Sequence, residues 1–323
     1  MNCSISVVVP LYNKCDTIAR CIQSVLSDLQ EHDELIVIDD GSDDGSGDKA
    51  KEFVDSRVSI IKQNNAGVSR ARNRGVEAAR HPLVAFLDAD DYWLPGYRAH
   101  VAKGLESFEN CVLFGSGHLR VYPGSERSRS YCRDERNGLN NEWESVTGKG
   151  FIERYAEKNV VNSSTAIIRK SALMRIGGFP ERARCGEDIF VWLRCALEGP
   201  VCLSKSELVV VERAEPGASD SRDRVPYFMK WLSEAAVWGE LSRDERSALK
   251  RFLVRRGANS CAGQVLSGKR SVAWERALVI KKRSPMFIVL GGLIALAPKW
   301  VLAKCYRVKQ VVKSKGGGGV GVP

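Results

Sequence analysis

The sequence feature that most constrains the fold is the stretch 83–93, which reads LVAFLDADDYW. Its first five residues are apolar and follow Pro82, a pattern typical of a central strand covered on both faces. Three carboxylates follow at the carboxyl end of this predicted strand. Because alternate residues of an extended chain point the same way, we expect Asp88 and Asp90 to project together and Asp91 to face away.

Two carboxylates that converge at the end of a strand suit a hard divalent cation. Mg²⁺ and Mn²⁺ prefer oxygen ligands and keep coordination positions open for substrate phosphates. Taken alone, an acidic turn or the start of a helix explains such residues equally well. The pattern in the rest of the chain therefore has to decide between the two interpretations.

Apolar strand segments alternate with segments of helical periodicity in the first 90 residues. The predicted strands are 5–9, 35–38, 58–61 and the stretch described above, and the predicted helices include 16–29 and 69–79. This alternation predicts the α/β class, with a mostly parallel sheet wound by right-handed crossovers. Ligands bind beyond the carboxyl ends of such strands. Polar clusters stand at three of those ends, at 10–13, 39–42 and 88–91, which favours a functional site over a chance acidic turn.

The polar clusters belong to motifs that carry a family resemblance. The segments are 7–13 (VVVPLYN), 36–45 (IVIDDGSDDG), 65–73 (NAGVSRARN), 86–91 (FLDADD), 177–180 (GGFP) and 186–194 (GEDIFVWLR). Their order, spacing and wording resemble the successive motifs of the family 2 glycosyltransferases, which have the GT-A fold. The resemblance covers about residues 4–212, and it implies a Rossmann-like sheet flanked by helices.

The resemblance implies a binding site for a nucleotide-sugar donor. Its nucleotide pocket is expected to be lined by Pro10, Tyr12, Asp40 and Asp88, and the pair Asp88 and Asp90 is expected to hold Mn²⁺ or Mg²⁺ with the diphosphate. A carboxylate at a strand end can accept a hydrogen bond from the imide N–H of uracil or from a ribose hydroxyl. Tyr12 offers an aromatic face for the base, so we expect a UDP-linked sugar.

The same resemblance implies that Asp188 is the catalytic base. Sugar transfer needs a Lewis acid to stabilise the leaving diphosphate and a carboxylate on the opposite side of the sugar to take the proton of the acceptor. Direct in-line attack inverts the anomeric centre. At the start of a predicted helix, the macrodipole alone also favours acids such as Glu187 and Asp188. Because these acids occur together with Asp88 and Asp90 (the DxD pair), we expect an inverting glycosyltransferase of the hexosyltransferase type.

Charge is distributed unevenly along the chain. The net charge of +10 combines −6 over residues 1–110 with +16 over residues 111–323, and residues 241–323 hold 18 basic side chains against 3 acidic ones. Such a basic end indicates an anionic partner surface. The ten cysteines include no CxxC pair and the four histidines are isolated, which argues against a zinc site or a disulfide framework. The N-terminus resembles no signal peptide, so we expect a cytoplasmic setting.

The composition predicts four consecutive regions. These are a GT-A domain over 1–212, a helical extension over 213–283, a membrane-interfacial segment over 284–304 and a basic, then glycine-rich flexible tail over 305–323. The apolar run 285–297 has 13 uncharged residues, short of the roughly 20 that a spanning helix needs. With basic flanks and Trp300 at its edge, it favours an interfacial segment over a buried core helix. The polar stretch 122–143 is expected to be a long excursion near the acceptor.

We therefore expect an enzyme that acts at the cytoplasmic face of the cell membrane as a peripheral protein. A glycan or lipid-linked acceptor in cell-envelope polysaccharide synthesis is the corresponding hypothesis, with an anionic membrane surface as partner and no nucleic acid. One alternative is a sugar nucleotidyltransferase, which would normally need a glycine-rich, basic loop after the first strand, unlike residues 10–14. Another alternative is a basic nucleic-acid or membrane-binding module without catalysis. Against it, the acids gather at the strand ends while the basic charge lies elsewhere.

Deleting residues 284–323 is expected to release the protein from vesicles of anionic lipid, because the deletion removes the apolar run and a large part of the basic charge. Cosedimentation of the full chain and of the truncated chain with such vesicles measures this. Continued sedimentation of the truncated chain would contradict the membrane prediction.

Overall fold

The computed structural model describes residues 4–121, 129–130, 142–212, 224–281 and 297–298. The chain divides into two compact units, Met1–Ser219 and Asp220–Pro323. Apart from 297–298, the predicted interfacial segment 284–304 lies outside the described residues, as do the tail 305–323 and most of the excursion 122–143.

The first unit contains the strands and seven helices in the part of the chain that is described. The strands are β1 (Ile5–Leu11), β2 (Glu34–Asp39), β3 (Val58–Lys62), β4 (Leu83–Phe86), β5 (Tyr92–Trp93), β6 (Leu113–Gly115), β7 (Leu119–Val121), β8 (Arg129–Ser130), β9 (Trp143–Val146), β10 (Ala166–Arg169), β11 (Val201–Ser204) and β12 (Val209–Glu212). The helices are α1 (Ile18–Leu26), α2 (Ser46–Lys51), α3 (Val68–Ala78), α4 (Tyr97–Ser107), α5 (Gly148–Glu157), α6 (Lys170–Arg175) and α7 (Glu187–Glu198), and a 3₁₀ helix (Ser163–Thr165) precedes β10.

A large mixed sheet forms the centre of this unit. Its order is β3-β2-β1-β4-β10-β6-β11-β9. The first four strands run parallel, β10 is antiparallel to both of its neighbours, β6 pairs in parallel with β11, and β9 is antiparallel to β11. The predicted α/β class with a mostly parallel sheet is therefore confirmed. The parallel half carries the polar clusters, because its strand ends all face the same edge.

Burial explains why the apolar runs became strands of the parallel half. All residues of β2 and β4 are buried, as expected for strands covered on both faces. Helix α1 buries one stripe, formed by Ile18, Cys21, Ile22 and Val25. Helix α3 approaches β1 closely at Gly75, where a Cβ atom would lie 2.2 Å from Val8 Cγ1. Only a residue without a side chain fits there, so Gly75 determines how near α3 comes to the sheet.

A second, four-stranded sheet borders the strand ends, in the order β5-β12-β7-β8. Strand β12 pairs antiparallel with β5, which lies directly after the acidic turn 88–91. This pairing brings Glu212, the last residue of β12, beside the turn. The backbone N–H of Glu212 donates to Asp91 Oδ1 at 3.0 Å.

The second unit is helical over its described residues. Its helices are α8 (Tyr227–Ser233), α9 (Ala235–Gly239), α10 (Arg243–Leu266) and α11 (Arg270–Lys281). Helices α8 and α9 are separate because Glu234 between them is extended, with φ −78° and ψ 138°. Helix α10 begins with a capping box between Ser242 and Glu245. Of the helices in the described ranges, none combines the length and the hydropathy needed to cross a membrane.

Candidate active site

A cavity of about 480 Å³ opens at the carboxyl ends of β1, β2 and β4. Its lining includes all five residues predicted for the nucleotide and the metal, namely Pro10, Tyr12, Asp40, Asp88 and Asp90. The sheet explains this convergence, since parallel strands present their carboxyl ends at one edge. The roles of these residues stay predictions, but the structure places their side chains around a single space.

The loop after β1 is held in place by the loop after β2. Asn13 has a positive φ of 50° and donates from its backbone N–H to Ser42 Oγ at 3.2 Å. Its side-chain amide donates to Asp43 Oδ1 at 2.8 Å. These bonds anchor the loop on which Tyr12 stands, 47% exposed. An exposed aromatic face beside a cavity can stack on a planar base.

Asp40 is buried and organises the loop between β3 and α3. Its Oδ1 accepts hydrogen bonds from the side-chain amide of Gln63 and from the backbone N–H of Ala66, and its Oδ2 accepts from the N–H of Gly67, each at 2.8 Å. Two carboxylate oxygens offer about four acceptor positions. One remains for a donor group in the cavity, so Asp40 both shapes the pocket wall and retains capacity to bind a ligand.

The acidic segment after β4 differs from the sequence expectation in its backbone. The strand ends at Phe86, and residues 88–91 form a turn in which the Asp91 N–H donates to the Asp88 carbonyl at 2.9 Å. The chain is therefore not extended at these residues, although the prediction assumed an extended chain. Asp88, Asp90 and Asp91 all border the cavity, but the side chain of Asp91 is buried whereas those of Asp88 and Asp90 are partly exposed. The expected separation of Asp91 from the other two carboxylates is present, although a turn produces it.

Asp91 connects the turn to two other segments. Its carboxylate accepts from the hydroxyl of Ser164, at a short distance, and from the N–H of Glu212. Ser164 Oγ also accepts from the backbone N–H of Asp88 at 3.1 Å. Burial, with the nearby charges of Asp88 and Asp90, raises the pKa of Asp91 well above its usual value. Ser164 therefore joins the backbone of Asp88 to the side chain of Asp91.

The two partly exposed carboxylates of the turn, Asp88 and Asp90, each contact a cation. Asp88 Oδ1 accepts from Arg72 Nη2 at 2.8 Å, and Asp90 Oδ2 accepts from Lys14 Nζ at 2.7 Å. Their side chains are 35% and 33% exposed. The sequence reasoning assigned no role to Arg72 or Lys14. The sequence signal that could have indicated a role was position, since Arg72 lies within the motif 65–73 and Lys14 directly follows the motif 7–13.

Arg72 links the acidic turn to the start of α7. Its side chain is 4% exposed, Nη1 donates to Glu187 Oε1 at 3.0 Å, and the guanidinium lies 5.3 Å from the ring centroid of Phe179. Burial alone would lower the pKa of Arg72, but Asp88 and Glu187 outweigh burial and raise it. A charged, buried bridge therefore spans Asp88 and Glu187.

Asp188 follows Glu187 in the first turn of α7 and is partly buried. It is not among the residues that line the cavity, but it feels the charges of Arg72 and Asp88 and follows Glu187, which pairs with Arg72. Burial, and next the charge of Glu187, raise the pKa of Asp188 to about 6, while the Ile189 N–H and Arg72 act in the opposite direction. A carboxylate with such a pKa can accept a proton near neutral pH.

The donor set at the turn fits a hard divalent cation. In the described ranges no group of three or more histidine, cysteine or acidic side chains is arranged to hold a metal. Asp88 and Asp90 present two partly exposed carboxylates, and each keeps one oxygen that accepts no bond from its paired cation. Mg²⁺ is commonly held by one or two carboxylates together with phosphates and water. The site therefore suits a metal that arrives with a phosphate ligand.

A comparison with protein families decides the classification. The sequence model described as "Glycosyl transferase family 2" matches residues 6–177, which is more than half of the chain. The chain belongs to glycosyl transferase family 2. The family assignment predicted from the motifs is thereby confirmed.

Relatives within glycosyl transferase family 2 align over parts of their length. Glycosyltransferase GlyA of Streptococcus pneumoniae is 34% identical over 114 residues, which cover 35% of this chain and 16% of GlyA. Glycosyltransferase AglE of Haloferax volcanii is 26% identical over 217 residues, which cover 64% of this chain and 65% of AglE. The chain thus spans less than two thirds of either relative.

Among solved structures, S. aureus TarS 1–349 in complex with UDP-GlcNAc shares the fold of this chain. The TM-score is 0.65 at 17% sequence identity, and the match covers 95% of this chain and 92% of the TarS chain. The complex of TarS 1–349 with UDP gives a TM-score of 0.56 over the same shares. At this identity, the similarity supports the glycosyltransferase fold expected for a family 2 member.

Arg72→Met is expected to destabilise the folded state by about 3–5 kcal/mol, because it leaves the carboxylates of Asp88 and Glu187 without their shared buried cation. Urea unfolding followed by circular dichroism measures the difference. Arg74→Met, on the same helix, is the matched control, since Arg74 is exposed and its guanidinium lies 3.7 Å from Glu77. We expect that variant to lose less than about 1 kcal/mol. Equal losses for the two variants would contradict the structural role of Arg72.

Proposed function

We propose that the chain is an inverting, metal-dependent glycosyltransferase that moves a sugar from a nucleotide-diphosphate sugar to an acceptor hydroxyl. The observation that carries this proposal is the cavity itself. Pro10, Tyr12 and Asp40 line it together with the acidic turn. A nucleotide and its diphosphate need those two environments side by side, a polar and aromatic wall for the base and a cation-binding group for the phosphates.

The donor is proposed to be UDP-linked. Tyr12 offers an aromatic face, and Asp40 retains an acceptor position for the imide N–H of uracil or a ribose hydroxyl. TarS, a protein of the same fold, has been crystallised with UDP-GlcNAc and with UDP. This supports a uridine nucleotide without identifying the sugar.

Asp88 and Asp90 are proposed to hold Mn²⁺ or Mg²⁺, which when bound would offset the negative charge that develops on the leaving diphosphate. The acidic excess of the turn supports this assignment. Burial raises the pKa of Asp91 first, and the charges of Asp88 and Asp90 raise it further, so the three carboxylates repel one another. A cation at the turn would relieve that repulsion.

Asp188 is proposed to act as the base. The acceptor oxygen would attack the anomeric carbon as the bond from that carbon to the diphosphate oxygen breaks. The hydroxyl proton would pass to the carboxylate of Asp188. Attack from the face opposite the leaving group inverts the anomeric centre. The link from Asp88 through Arg72 to Glu187 supports a role for the adjacent Asp188 in the same site.

The acceptor is proposed to be a glycan or a lipid-linked saccharide in cell-envelope polysaccharide synthesis. The basic charge of residues 241–323 supports a position at an anionic membrane surface on its cytoplasmic side. We also propose the division into a catalytic domain over 1–212, a helical extension over 213–283, an interfacial segment over 284–304 and a flexible tail over 305–323.

The role of Asp188 leads to a prediction for the pH dependence of transfer. Because only the ionised carboxylate accepts a proton and its pKa is about 6, kcat/KM is expected to fall about ten-fold per pH unit below 6 and to level off above 7. An ordinary aspartate would keep kcat/KM level down to about pH 4. Asp188→Asn is expected to lower kcat by about 10²–10⁴-fold with UDP affinity unchanged.

Glu198→Gln at the opposite end of α7 is the control for Asp188→Asn, since Glu198 pairs with Arg175 at 3.0 Å and lies outside the cavity. Wild-type turnover is expected for that variant. An Asp188→Asn protein that turns over at the wild-type rate would overturn the base assignment.

The metal role leads to a prediction for donor binding. A thermal-shift screen of the purified protein with UDP, GDP, CDP and ADP, each with and without Mn²⁺, is expected to show a metal-dependent stabilisation with UDP, since a ligand stabilises only the state that it binds. Asp90→Asn is expected to abolish the metal-dependent part of that shift and to leave the fold intact.

Asp48→Asn is the matched control for Asp90→Asn. Asp48 also accepts from a lysine, Lys51, at 2.8 Å, but its side chain is exposed and lies outside the cavity. An unchanged metal-dependent shift in Asp90→Asn would contradict the metal assignment. The absence of any nucleotide shift in the folded wild-type protein would favour a binding module without catalysis.

A further inference from the structure

Lys14 occupies a position in the cavity that the proposed chemistry has not used. Its Nζ lies 2.7 Å from Asp90 Oδ2, and the two side chains are 42% and 33% exposed. Both residues line the cavity. The ammonium therefore pairs with one oxygen of the carboxylate that is proposed to bind the metal. A metal on the other oxygen would repel it, because two cations would then share one carboxylate.

The backbone of Lys14 is held by several hydrogen bonds, whereas its ammonium is held by one partly exposed ion pair. The Lys14 N–H donates to Ser46 Oγ at 2.8 Å. Its carbonyl accepts from the N–H groups of Thr17 and Ile18 at 3.1 and 3.0 Å. The ammonium is held by its partly exposed ion pair with Asp90, and exposed ion pairs contribute only about 0–1 kcal/mol to the stability of the folded state. A four-carbon stem on a fixed backbone lets the ammonium reach other groups in the cavity.

The acidic side chains that line the cavity explain why a diphosphate would need the ammonium of Lys14. Five acidic side chains line it, and among its described lining residues the cations are Lys14 and Arg72. Arg72 is buried and held by Asp88 and Glu187. A diphosphate that enters this acidic space needs positive charge. In the absence of a metal, Lys14 is the lining cation that is free to supply it.

We propose that Lys14 is a diphosphate-binding side chain that rests on Asp90 while the donor site is empty. When Asp90 binds the metal, the ammonium leaves the carboxylate and pairs with the diphosphate. This inference rests on the proposed donor and metal site and assigns a further residue to it. Lys14 then changes two affinities in opposite directions. It weakens binding of the metal alone and strengthens binding of the diphosphate.

The test uses the full chain with Lys14→Met and two binding measurements that need no turnover. Mn²⁺ titrated without nucleotide, followed by electron paramagnetic resonance of the free ion, is expected to bind the variant about two- to five-fold more tightly, because Asp90 has lost its competing cation. UDP titrated calorimetrically in saturating Mn²⁺ is expected to bind the variant about five- to ten-fold more weakly, since a charged contact with the diphosphate is lost.

Lys51→Met is the matched control, because it removes an equal charge from an ion pair of similar length, 2.8 Å, outside the cavity. Both affinities are expected to stay at the wild-type values. Lys14→Gln provides a second variant if methionine disturbs the loop. In an Asp90→Asn background, Lys14→Met is expected to leave the Mn²⁺ affinity unchanged, because the two side chains act through one contact.

Opposite changes in the two affinities, confined to the Lys14 variants, support the proposal. Unchanged Mn²⁺ affinity, unchanged UDP affinity, or changes of the same sign overturn it while the proposed function stands. If the wild-type protein binds neither Mn²⁺ nor UDP, the proposed function fails and this inference fails with it.

Discussion

The candidate site depends on one buried guanidinium. Arg72 contacts Asp88 at 2.8 Å and Glu187 at 3.0 Å, although 115 residues separate it from Glu187 in the sequence. A buried cation without partners is strongly unfavourable, and so is a buried carboxylate without one. Arg72 therefore requires its two carboxylates, and Glu187, which is largely buried, requires Arg72, while Asp88 stays partly exposed. Their contact joins the start of α7 to the turn after β4, and so brings the neighbour of Asp188 into the same network as the DxD pair.

Around this bridge the cavity is lined by more acidic than basic side chains, and the three acids of the turn differ in burial. Asp91 is buried and tied to Ser164 and Glu212, so it stabilises the turn from behind. Asp88 and Asp90 remain partly exposed and pair with cations on one oxygen only. Three adjacent acids thus divide into one with a structural role and two that face the cavity. This division is the arrangement that a cation and a phosphate ligand can exploit.

Much of the fold was predictable because it rests on local patterns. The apolar runs became the parallel strands β1 to β4, and the amphipathic segments became α1 and α3. The family motifs placed five site residues around one cavity. The backbone at Asp88 was not predictable from periodicity, because the strand ends at Phe86 and the chain turns. The roles of Arg72 and Lys14 were also hidden, since the sequence does not reveal which distant carboxylates they meet.

The sequence by itself determined which segments form strands and helices, which family the chain belongs to and which side chains gather at the edge of the sheet. Hydrophobic periodicity and strand direction are sufficient for that, because both are encoded within a few residues. Only the tertiary structure decided which acid is buried, which cation is buried between two carboxylates and which is partly exposed, and which acid has its pKa raised to about 6. Those properties depend on burial and on charges from distant segments, which come together only when the chain is folded.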